Sequence, residues 1–64
     1  MISNEKELMN RENAGFQAME NGDWRMAYDC FNDCLEYLKY YEAWREDDIA
    51  KFQKLVTRCR EMFW

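Results

Sequence analysis

The chain has 64 residues, 48% of them hydrophobic and 34% charged, with no proline, two glycines and a formal net charge of −4. That length makes one domain with a small core, and a 17% aromatic share excludes an intrinsically disordered chain. Histidine is absent, which removes the commonest general base, the usual hydrolytic triads and most zinc sites; no phosphate-binding glycine loop or dinucleotide fingerprint occurs.

The first helix is expected to open at Ser3 or Asn4 and to run to about Glu20. Asn4 and Glu7 have capping-box spacing, and Glu5 and Glu7 suit the positive end of the helix dipole. Leu8, Gly15, Phe16 and Met19 fall on one face with Ala18 beside it, a thin apolar stripe. Asn21-Gly22-Asp23 then punctuates the chain. Gly22 suits a left-handed helix terminus and Asp23 a cap for the next helix, which predicts an antiparallel helical hairpin.

The second helix is expected from Trp24. Trp24, Ala27, Tyr28, Phe31, Cys34, Leu35 and Leu38 repeat in steps of three and four, opposite Arg25, Asp29, Asp33, Glu36 and Lys39. A third segment repeats the pattern with Ile49, Phe52, Val56, Cys59 and Phe63, flanked by Leu55 and Met62. Both stripes share one heptad register, with Tyr28, Leu35, Ile49, Val56 and Phe63 at one core position and Trp24, Phe31, Leu38, Phe52 and Cys59 at the other. Only Glu42 and Arg45 interrupt it. Two readings follow. Residues 24–64 form one helix of about 60 Å in an intertwined dimer, or the chain bends near Glu46-Asp47-Asp48, where Asp47 or Asp48 caps a third helix and closes a three-helix bundle. The bend is the favoured reading, and all-α is the fold class in either case.

Residues 15–38 resemble a single tetratricopeptide repeat. Gly15 and Ala18 stand on the first helix, Gly22-Asp23-Trp24 in the turn, and Ala27, Phe31, Cys34 and Leu35 on the second. Cys34 replaces the usual alanine and no proline closes the repeat. The same stretch with Leu35-Glu36-Tyr37-Leu38, together with Arg58-Cys59-Arg60-Glu61, is similar to a microtubule-interacting-and-trafficking domain. That resemblance implies a three-helix bundle that binds short helical peptides in a groove. The size and acidic, aromatic-rich make-up also resemble short accessory proteins of bacteria and their phages.

Charge is unevenly spread. Residues 1–23 carry −3 and residues 24–48 carry −4, whereas residues 49–64 carry +3. The basic segment either complements its own helix dipole or docks on the acidic part of its own or a neighbouring chain. Lys51, Lys54 and Arg58 share a helix face and make a conceivable phosphate stripe, so a nucleic-acid-associated regulator is the alternative function; the acidic remainder argues against it. A membrane-surface role for an amphipathic last helix ending Met62-Phe63-Trp64 has similarly little support.

The three cysteines, Cys30, Cys34 and Cys59, are read as small hydrophobes in a reducing compartment rather than as metal ligands or disulfide partners. Met1-Ile2-Ser3-Asn4-Glu5-Lys6-Glu7 reads as a cytoplasmic start, and no apolar run is long enough to span a membrane. Carboxylate pairs such as Asp29 with Asp33 are read as solvation, so no catalytic residue, cofactor or metal is expected.

The aromatic cluster Tyr37, Tyr40, Tyr41 and Trp44 covers more than one helix face. It is read as a protein interface extended by Phe52, Val56, Phe63 and Trp64, against the plainer reading that it covers the bundle end with Trp64 packed among it. The expectation is a non-enzymatic adaptor or regulator that binds protein. A homodimer is expected because one thin first helix leaves the two longer stripes uncovered.

Overall fold

The computed structural model describes residues 2–64, folded as three helices: α1 (Glu5–Glu20), α2 (Trp24–Tyr41) and α3 (Glu46–Phe63). Asn4 caps α1 by accepting the Glu7 backbone N–H at 2.9 Å. The return arm of the cap reaches one residue further back than capping-box spacing implies: the Glu7 carboxylate takes the backbone N–H of Ser3 at 2.7 Å and the Ser3 hydroxyl as well. Those bonds hold the Glu7 carboxyl below its usual range.

Gly22 ends α1 with φ +78°, the backbone region that side chains with a Cβ rarely adopt. Asp23 N–H then reaches the Ala18 carbonyl at 2.8 Å and Gly22 N–H the Met19 carbonyl at 3.0 Å, which is Schellman closure. Asp23 caps α2 by accepting the Met26 N–H at 3.1 Å. The turn therefore forms as its sequence predicts, and α1 and α2 run antiparallel.

The second connection bears out the favoured reading, a bend that closes a three-helix bundle, and corrects where the bend falls and what precedes the third helix. Residues 24–64 are not one helix, and the break falls at residues 42–45, ahead of the acidic run. Arg45, not Asp47 or Asp48, is the residue before α3, and no side chain caps the helix there. The break coincides with Glu42 and Arg45, the two charged residues that interrupt the heptad register. A continuous stripe would bury both, whereas the turn lets them pair at 2.7 Å. Glu46, Asp47 and Asp48 fill the first turn of α3, where the dipole favours them.

Both α1 and α3 pack on α2, and α3 returns antiparallel to it. Phe31 is the centre, with its ring 5.0 Å from Phe16 of α1 and 6.1 Å from Phe52 of α3. Phe31, Leu38, Phe52 and Cys59, four residues of the second heptad position, are all buried, joined by Ile2, Leu8, Ala18, Ala27, Cys34 and Leu35. The first-helix stripe is displaced from the expected one: Leu8, Gly15 and Ala18 face α2, Met19 is half-buried, and Phe16 is 40% exposed at the rim. Small residues at the contact let the helices approach closely, and Phe16 then lies over the edge of Phe31.

Candidate protein-interaction surface

The aromatic cluster lies where α2 ends and turns towards α3. Tyr37 is half-buried, with its hydroxyl donating to the Glu42 carboxylate at 3.0 Å. That hydrogen bond is the main reason its phenol titrates above the ordinary range. Tyr41 stands between its neighbours, 5.4 Å from Tyr37 and 6.1 Å from Tyr40. Tyr40, Tyr41 and Trp44 are 84%, 64% and 77% exposed. They do not cover the end of the bundle; they project from it.

Arg45 fixes the base of this platform. Its Nη1 donates to Glu5 of α1 and to Glu42, each at 2.7 Å, and its Nε donates to Asp48 of α3 at 2.9 Å. One guanidinium thus ties the start of α1, the end of α2 and the start of α3. It is the largest influence holding the Glu42 carboxyl below its usual range, and its own proton is held more firmly in return. Its guanidinium also lies 6.0 Å from the Trp44 ring centre.

Beside the platform runs a cleft of about 350 Å³, lined by Ile2, Asp33, Glu36, Tyr37, Tyr40 and Tyr41. Ile2, Asp33 and Glu36 were not among the interface residues expected from the sequence. The buried Ile2 ahead of the Asn4 cap is a staple-like signal that could have drawn it in, because an apolar residue before a cap commonly folds back on the first turns. Nothing comparable marks Asp33 or Glu36.

The other expected interface residues separate. Phe52 is 1% exposed and belongs to the core, so it is removed from the surface. Val56 and Phe63 are half-buried, and Phe63 packs edge-on to Tyr28 at 5.5 Å beneath Arg25. Trp64 is 91% exposed but lies past the far end of α3, about 27 Å of helix away from Trp44, and not among the tyrosines.

The basic face divides as well. Lys51 pairs with Glu12 of α1 at 2.8 Å and lies over the Phe52 ring, which docks the basic segment on the chain's own acidic first helix. Lys54 and Arg58 remain on an open surface with Glu61 beside them. Two cations next to a carboxylate make a short phosphate track.

Cys30, Cys34 and Cys59 are all free and buried. Burial pushes every thiol up, Cys34 to about 12, so they pack as neutral groups. Among the described residues no helix is long and apolar enough to cross a membrane.

Fold and surface together define an all-α, three-helix domain with a projecting aromatic end. No protein-family model, curated protein or solved structure matches the chain.

Proposed function

We propose that the protein is a non-enzymatic interaction module, an adaptor or regulator in the cytoplasm, that engages a protein partner through the Tyr40, Tyr41 and Trp44 end of the bundle. The observation that carries this reading is the exposure of three large aromatic side chains within residues 40–44, in a chain whose heptad core is filled without them. Tyrosine and tryptophan offer large contact area for little lost rotamer entropy, which is why they dominate binding hot spots. Water against these rings is released on docking, at roughly 25 cal/mol per Å² of apolar area covered.

A homodimer is a narrower form of the same proposal. In the fold Phe31, Leu38, Phe52 and Cys59 of the heptad stripe are buried within one chain, while Tyr28, Ile49, Val56 and Phe63 stay half-buried. Self-association would draw mainly on the aromatic end. The test is affinity capture with the wild type beside a Tyr40→Ala, Tyr41→Ala, Trp44→Ala triple variant, with sedimentation velocity on both. The reading expects a reproducible partner, or a concentration-dependent dimer, that the triple variant loses. Equal capture and equal mass for the two proteins would overturn it.

A further inference from the structure

We infer that the cleft beside the aromatic end is a subsite for an arginine side chain presented by a basic segment of the partner protein. The inference rests on the interaction-module reading and names the chemistry of one contact.

The lining groups differ in what they have left to offer. Asp33 is committed, since one carboxylate oxygen takes both Nε and Nη2 of Arg11, at 3.0 and 2.8 Å. The Tyr37 hydroxyl is committed to Glu42. Glu36 is not: it accepts one hydrogen bond, from the Asn32 amide at 3.1 Å, and among the described residues no cation pairs with it. The faces of Tyr40 and Tyr41 are also open. The cleft thus offers a carboxylate that no described cation neutralises, beside phenol rings tilted to one another by 41° and 42°, with aliphatic Ile2 in its lining.

A guanidinium meets all three. It is flat enough to lie on a ring, it forks onto a carboxylate, and its methylene stem covers apolar surface. An anionic ligand would meet two carboxylates. A purely apolar side chain would desolvate Glu36 with nothing in exchange. The chain's net charge of −4 favours the approach of a cation over that of an anion. The cations without an ion pair among the described residues, Lys6, Arg25, Lys39, Lys54, Arg58 and Arg60, all stand within the three helices and not on a projecting segment suited to enter a cleft.

The test is an amide-resolved NMR titration with acetylated, amidated Gly-Arg-Gly-Arg-Gly, and with the same peptide carrying citrulline for arginine. Saturable shifts are expected at Ile2 and across residues 33–41. Glu36→Gln and Tyr40→Ala should each weaken binding about two- to five-fold, and citrulline by about ten-fold; thermal melts by circular dichroism check that both variants fold. No saturable shift at these amides, equal affinity for citrulline, or unchanged affinity in both variants would overturn the inference. So would the same shifts on concentrating the protein alone, lost in Arg58→Gln, because the cleft would then hold a second copy. Partner capture that needs Trp44 but ignores Glu36→Gln also overturns it, while leaving the interaction-module reading in place.

Discussion

At position 15 a Cβ would stand 2.7 Å from Cε1 and 2.8 Å from Cζ of Phe31. Phe31 cannot yield easily, because it is fully buried between Phe16 and Phe52. Gly15→Ala therefore sets two effects against each other. Alanine favours the helix by about 1 kcal/mol, while overpacking a closed core costs about 1–3 kcal/mol. Contacts under 3.0 Å on a buried ring put the overpacking cost in the upper part of that range, about 2–3 kcal/mol, so chemical denaturation should show a net loss of about 1–2 kcal/mol. A neutral or stabilising result would mean that α1 can shift away from Phe31. Cys34 makes a second prediction. Burial, with the Glu12 charge adding to it, raises its thiol to about 12, whereas an unfolded thiol ionises near about 8.5. Between these values the folded chain keeps a proton that the unfolded chain has released, so stability must fall as pH rises. Cys30 and Cys59 shift in the same direction. Cys34→Ala should be less stable at neutral pH, through the cavity it leaves, yet lose stability less steeply from about pH 8.5 upwards. An unchanged slope would show that the thiol does not titrate with folding.

Among the elements, the α2–α3 turn depends most on charge. It contains no glycine or proline and is held by Arg45 against Glu5, Glu42 and Asp48. The Glu42 carboxyl is depressed in the fold, first by Arg45 and then by Tyr37. Its contribution is therefore complete above the ordinary glutamate value of about 4.3 and is lost as pH falls through the depressed one. Arg45→Met should melt below the wild type at neutral pH, and the gap should narrow as pH falls below the ordinary glutamate value of about 4.3 and through the depressed one of Glu42. A gap of constant size would show that Arg45 acts by packing alone. This turn also marks the limit of what the residues reveal. The hairpin was legible, because Gly22 needs positive φ and Asp23 has cap chemistry. The site of the bend was not, because Asp47 and Asp48 have cap chemistry but serve in the first turn of α3, while Arg45 precedes it without a side-chain cap. The interruption of the register at Glu42 and Arg45 carried the information, since buried stripes do not admit unpaired charges. The aromatic end was legible from crowding of rings on more than one face. The cleft was not, because it needs Ile2 to fold back against residues more than thirty positions along the chain.

For the whole molecule, the arrangement of charge and apolar surface separates what closes the fold from what remains available. Lys51 with Glu12 and Arg45 with Glu5 turn the uneven charge of the sequence into ties between α3 and α1. Phe52 and Cys59 fill the heptad seam from within the same chain. Tyr40, Tyr41 and Trp44 take little part in either. If they serve binding, their removal should leave folding almost untouched, since truncation of exposed side chains usually changes stability by no more than about 0.5 kcal/mol each. The most direct measurement is the denaturant unfolding of the Tyr40→Ala, Tyr41→Ala, Trp44→Ala variant beside the wild type, both at a concentration where sedimentation gives one chain. Cooperative unfolding with a loss below about 1.5 kcal/mol and an unchanged slope is expected. A loss above about 3 kcal/mol, or a non-cooperative transition, would contradict it, because the aromatic end would then be part of what holds the bundle together.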